Sequence, residues 1–172
     1  MCRKRADSVS FFYNSAIKKC VCTGQVQQSD LLPFVGYVHF SSSDISPWRV
    51  FGKKQYLQIK DKIKWIDAQL ECKKLGAKLA EIETTQENAF LKNYAKENNY
   101  GNAFIGGTDA FSHNTWRWST TFEPITFSDW APGKPDASTR DECLALNTIY
   151  DMSWDDFECD ASFSFICERK MV

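Results

Sequence analysis

At 172 residues, 43% hydrophobic and 15% aromatic, the chain can bury one real core beside an appendage, which excludes a miniprotein held by disulfides alone. Its formal charge of −1 gives no reason to expect a nucleic-acid partner, and no apolar run approaches the ~18 residues of a membrane span. Seven cysteines against two histidines disfavour zinc and imply disulfides formed in an oxidising, extracellular compartment. The N-terminus lacks the apolar core of a signal peptide, so a secreted protein requires that a leader has been removed.

In chain order, residues 1–46 read as an N-terminal arm without a sustained helical period. Within it Phe34–Phe40 predicts a strand, and Ser41, Ser42, Ser43 and Asp44 predict a turn or linker. Residues 47–172 read as the compact domain. Arg49–Ile59 has the pattern of a hairpin turning near Gly52. Trp65, Ala68, Cys72 and Leu75 recur at helical spacing, and Gly76 is the stop signal. Thr84 and Glu87 form a capping box for a second helix over about 85–97, with Ala89, Phe90 and Tyr94 on its buried side. Beyond Gly101 the segments Phe104–Ile105, Trp116–Trp118, Cys143–Leu146 and Phe163–Cys167 predict short strands separated by long polar loops. Loops of that length inside a compact domain are usually functional.

Two of these loops carry the chemistry. They are the tryptophan-centred segments Trp130–Asp136, which contains Gly133, Lys134 and Pro135, and Trp154–Asp156, which contains Asp155. Cys72, Cys143, Cys159 and Cys167 frame them. Clustered carboxylate oxygens are the ligand type that a hard cation such as Ca2+ takes. Binding is therefore the expected activity. The chain has no nucleophile elbow or phosphate loop, so it reads as a non-enzyme with no catalytic residues.

From about Trp48 to Lys170 the chain resembles a C-type lectin domain. The residues that carry the resemblance are Cys72, Gly76–Ala80, Phe104–Asp109, Trp116–Ser119, Trp130, Pro135, Asp136, Trp154–Asp156 and the trio Cys143, Cys159 and Cys167. The resemblance implies an α+β, C-type lectin-like fold. That fold has two helices and two small antiparallel sheets with long calcium-binding loops, stabilised by disulfides. It also implies the pairing Cys72 to Cys167 and Cys143 to Cys159; four cysteines alone allow three pairings. Closing the longer loop is worth ~4 to 5 kcal/mol in the chain-entropy model, and the shorter one about 3 kcal/mol.

For function, the resemblance implies a secreted, calcium-dependent lectin acting in innate immune recognition, with a glycan as its ligand. The implied metal ligands are Asp136, Asp141, Asp155 and Asp156, and Lys134 joins them as the carbohydrate-binding set. Asp109 and Glu142 match acids of an auxiliary metal site that His113 and Ala137 impair. Pro135 is expected in the cis form. The sequence departs from the family at Lys134, where Glu or Gln is usual and where an ammonium has no lone pair for a metal. Asp141 and Asp155 depart as well, standing for Glu and Asn.

Two readings remain open. In one, Lys134 swings outward and calcium binds, with galactose-type or acidic-glycan specificity. In the other, Lys134 folds inward as a counter-ion and the domain is a protein-interaction module that has lost sugar binding. In the arm, Cys2, Cys20 and Cys22 are odd in number, so at least one has no partner among them. Cys20 and Cys22 are candidates for an intermolecular disulfide to the same or a different chain, as in secreted insect immune lectins with Cys-X-Cys arms, whereas an intrachain bridge is the plain alternative.

Overall fold

The computed structural model describes residues 10–14, 19–23, 38–40, 47–136 and 142–171. The chain divides into two compact units, Met1–Pro47 and Trp48–Val172. The first holds a three-stranded antiparallel sheet of β1 (Ser10–Asn14), β2 (Lys19–Thr23) and β3 (Val38–Phe40), in the order β2-β1-β3. Of the segment expected to be a strand, residues 38–40 form one; residues 34–37 lie outside the described residues, as does Cys2.

The second unit starts with the expected hairpin, β4 (Arg49–Phe51) and β5 (Lys54–Ile63), turning at Gly52. Helix α1 (Trp65–Lys74) buries Trp65, Ala68 and Cys72 and ends before Gly76, as its spacing predicts, but Leu75, expected on the same face, is the C-cap and is exposed. A short strand, β6 (Lys78–Leu79), leads to α2 (Thr85–Asn98), where the Thr84 side chain accepts from the Glu87 backbone N–H. The face of α2 differs from expectation. Ala89 is exposed and Phe90 half-buried, while Leu91, Tyr94 and Ala95 are buried together with the polar Glu87 and Asn88. Those two polar residues turn inward because each has a buried partner to bond.

The remaining strands are β7 (Ala103–Thr108), β8 (Arg117–Trp118), β9 (Glu142–Asn147), β10 (Ser153–Glu158) and β11 (Phe163–Lys170). They join in one mixed sheet of order β10-β9-β7-β11-β5-β4, with β6 beside β11 and β8 beside β7. Two separate antiparallel sheets were expected. A short parallel pairing of β7 with β11, Ala103 opposite Ser164 and Phe104 opposite Phe165, fuses them. Trp154–Asp156, expected as a loop, is the middle of β10. The residues on both its faces are enclosed, so the alternation that marks a strand is absent.

Both implied disulfides are present, Cys72–Cys167 and Cys143–Cys159. The first lies in a cluster with Trp65, Leu79, Phe104 and Phe165. A second cluster gathers Tyr56, Leu91, Ile105, Trp118, Leu144, Trp154 and Ile166. Close approach of β7 to its neighbours requires Gly107: a Cβ there would lie 2.7 Å from Leu144 Cδ2. Among the described residues no helix is long and apolar enough to cross a membrane.

Candidate functional site

β10 is the edge strand of the sheet, hydrogen-bonded on one side to β9 with Asp155 opposite Ala145 and Asp156 opposite Leu144. Its other edge is taken by the loop that precedes Lys134. The Trp154 N–H donates to Asp129 O at 2.8 Å, and the Ala131 N–H donates to Trp154 O at 2.8 Å. Rings reinforce the join, with Trp130 against Trp154 at 5.9 Å and against Trp116 at 4.9 Å between centroids. The loop then turns: the Lys134 N–H donates to Ala131 O at 3.0 Å across Gly133, whose φ of +78° is one that glycine adopts without penalty. The Lys134–Pro135 bond is cis, as the resemblance implied. The next residue is fixed to the strand by its backbone, the Asp136 N–H donating to Asp156 Oδ2 at 3.0 Å.

This path brings Lys134, Asp136, Asp155 and Asp156 together. Lys134 is folded inward. Its Nζ lies 2.7 Å from Asp136 Oδ2, 3.0 Å from Asp155 Oδ1 and 3.5 Å from Asp156 Oδ1. Asp155 and Asp156 are 3% and 5% exposed, so the ammonium faces carboxylates that are almost entirely removed from water. Asp155 is held further by Asn147 Nδ2, which donates to its Oδ2 at 2.6 Å, and by the Asp156 N–H. Asp156 Oδ1 is buried with no hydrogen-bond partner, leaving the Lys134 charge as its compensation. Burial alone would lower the Lys134 pKa. The hydrogen bonds to Asp136 and Asp155, with the pull of the Asp155 and Asp156 charges, outweigh it and hold the group above the ordinary lysine value. One positive charge against three negative leaves the described lip at a formal −2.

Asp141 lies outside the described residues, as do Ala137 and Arg140. Glu142, assigned to an auxiliary site, offers an oxygen within 4.8 Å of those of Asp136 and Asp156, so the structure groups it with them. Asp109 is engaged elsewhere. Its Oδ1 accepts from the Glu142 N–H at 2.8 Å and its Oδ2 from the Asn114 N–H at 3.0 Å, with His113 Nδ1 at 3.4 Å. Cys20 and Cys22 stand two residues apart on β2, opposite Tyr13 and Phe11.

Sequence reasoning missed the support beneath the lip. The Asn88 side chain accepts from Trp154 Nε1 and donates to Asp129, and Lys92 Nζ reaches Asp129 Oδ2 at 2.7 Å. The signal was Asn88 itself, an amide on the inward side of a helix. It is spaced one turn from Lys92, but nothing local names its partners.

With this geometry in view, the profile of the lectin C-type domain family matches residues 61–169. The chain belongs to the C-type lectin domain family. It is 31% identical over 155 residues to a lectin of Pleurodeles waltl, covering 86% of this chain and 87% of that protein. The carbohydrate-recognition domain of mouse scavenger receptor C-type lectin superposes with a TM-score of 0.66 at 30% identity, over 73% of this chain and 94% of that one. A calcium-independent type II antifreeze protein superposes equally well, with a TM-score of 0.67 at 27% identity, over 74% of this chain and 95% of that one. The family thus holds both sugar-recognition domains and proteins with another task, and the site must decide between them.

The family implies calcium, and the residues can be tested for it. A calcium ion needs six to eight oxygen ligands. Here an ammonium, which offers none, stands against the oxygens of Asp136, Asp155 and Asp156. With Lys134 in this position the site does not fit the ion.

Proposed function

We propose that the protein is a secreted carbohydrate-binding lectin and not an enzyme, with its ligand lip formed by Lys134, Asp136, Asp155 and Asp156 together with Asp141. The observation that supports this most is the paired arrangement on the edge of β10. Two buried carboxylates and one half-exposed one share a single ammonium in a loop braced by the sheet. The exposed Asp136 carboxylate, fixed at the surface, bonds sugar hydroxyls more strongly than a neutral group does. Of the two specificities, acidic glycans draw less support. The Lys134 ammonium is already engaged and the described lip is negative. Galactose-type specificity goes with the calcium-bound arrangement, in which Lys134 turns outward.

The test is a glycan array probed with the wild type, Asp136→Ala and Asp156→Ala, each in calcium and in chelator. Glycan binding lost in both variants supports the reading. Partner binding that survives both substitutions and the chelator, with no glycan bound, would establish the protein-interaction module instead.

Calcium-dependent binding with Lys134 turned outward is the second reading, favoured by one observation: oxygens of Asp136, Glu142 and Asp156 lie within 4.8 Å of one another. Calorimetric titration of calcium into the wild type, with Asp156→Ala as control, decides between the two.

The two disulfides support secretion, since such bonds persist in oxidising compartments. Innate recognition of microbial glycans is the role that the insect-lectin resemblance carries. We further read Cys20 and Cys22 as the link to a second chain, homo- or heterodimeric. They stand two residues apart on β2. Non-reducing electrophoresis of the wild type and the Cys20→Ser/Cys22→Ser variant tests this: a dimer band must vanish in the variant.

A further inference from the structure

We propose that Lys134 is a tethered cation: its ammonium takes the place of a divalent ion, and calcium competes with it for the same oxygens of Asp136, Asp155 and Asp156. This concerns the lip assigned above to the ligand, and rests on that reading only for its consequence for sugar binding.

Three independent features lead here. The first is the electrostatic demand of the site. Asp155 and Asp156 are adjacent in sequence and both almost fully buried, and Asp136 is bound to Asp156 through its backbone N–H. Carboxylates gathered this closely, with little water, repel one another unless a cation sits among them. The second is the unsatisfied oxygen. Asp156 Oδ1 is buried, accepts no hydrogen bond, and has Lys134 Nζ 3.5 Å away. A carboxylate oxygen left in this condition is what remains when a point charge, and not a directed donor, holds it in place. The third is how the lysine is delivered. The Lys134 N–H is fixed to Ala131 O, and the loop before it is clamped to Trp154 by two backbone hydrogen bonds. The ammonium therefore enters the acid cluster from a pinned backbone and is pre-positioned for it.

An ammonium and a divalent ion differ in consequence. The tethered group is always at hand, its effective concentration set by the chain and independent of the calcium outside. The loop then keeps its shape in calcium-free surroundings, and any ligand binding there is insensitive to chelation. Because Nζ and a metal would use the same oxygens, removing the lysine should create a calcium requirement where none exists.

The experiment is a rescue. The full chain carrying Lys134→Gln is compared with wild type by thermal unfolding and by calorimetric titration of CaCl2, in chelator and in millimolar calcium. In chelator the variant should melt about 5 °C or more below wild type, and calcium should restore most of that loss. Wild type should show no saturable heat and no shift between the two conditions. The double variant Lys134→Gln/Asp156→Asn should melt low and gain nothing from calcium, which places the rescue at these oxygens. Saturable calcium binding by wild type at this site would overturn the proposal. So would a Lys134→Gln variant that either loses no stability in chelator or shows no response to calcium. None of these readouts involves a glycan, so a failed array and a failed rescue are separate results.

Discussion

Asn88 and Trp154 are joined by a buried hydrogen bond: the indole Nε1 donates to the Asn88 Oδ1 at 2.9 Å, from a tryptophan that is fully enclosed. The same amide donates from Nδ2 to Asp129 Oδ2 at 2.9 Å. One side chain on α2 thereby holds both the strand that carries Asp155 and Asp156 and the loop that leads to Lys134. Asn88→Ala leaves a buried indole N–H without a partner and is expected to cost about 1 to 3 kcal/mol. Urea unfolding measures that loss, and ligand affinity should fall with it because Asp129 loses one of its anchors.

Gly107 sits where β7 passes Leu144. The 2.7 Å approach to Leu144 Cδ2 and 3.0 Å to Leu144 Cβ leave no room for a methyl group. Gly107→Ala should therefore destabilise by about 1 to 3 kcal/mol through overpacking. A shift in urea midpoint without a change in slope checks it, since the fold itself should survive.

Glu168 sits in the second charged cluster of the domain, where Lys54 and Lys78 reach it at 3.4 Å each. Burial raises the Glu168 pKa above the ordinary carboxylate value, and the attraction of Lys54 and Lys78 only partly reverses this. The folded state then binds the proton more tightly than the unfolded chain does. Its contribution makes stability rise as pH falls through the folded pKa and level off below the unfolded one. Glu168→Gln should flatten that acid-side rise in a series of urea midpoints, measured from neutral pH down to the ordinary glutamate range.

Lys134 gives the opposite limb. Its folded pKa is raised by Asp136, Asp155 and Asp156 against the effect of burial. The stabilisation it supplies is therefore complete below the ordinary lysine value and is lost as pH climbs through the raised one. The gap in melting temperature between wild type and Lys134→Gln, measured in chelator, should hold constant through neutral pH and close in strong alkali. A gap that closed below pH ~9 would contradict this assignment.

Local signals made much of the fold readable. Thr84 and Glu87 started α2 where they should because a capping side chain acts within three residues. Gly76 likewise closed α1. The failures share a cause, which is that the deciding contact is distant in sequence. Asn88 had no assigned role until Trp154 and Asp129 were placed beside it, and Ala89 looked like core until Leu91 took that role. Trp154–Asp156 looked like a loop because acidic residues seldom fill a buried strand. They fill this one because Lys134 and Asn147 meet them there. The site's acids were legible as a group, and so was the ambiguity of Lys134, but the inward rotamer depends on contacts that no spacing encodes.

The clamp of Asp129–Ala131 along β10 has one more effect. A sheet's outermost strand offers a row of open amides and carbonyls to any other extended chain, and that is how folded proteins are recruited into fibrils. Here the N–H and C=O of Trp154 are both occupied by a loop of the same molecule. The segment that shapes the lip is also a guard rail. Weakening its attachment would first be seen as turbidity on storage, before any change in what the protein recognises.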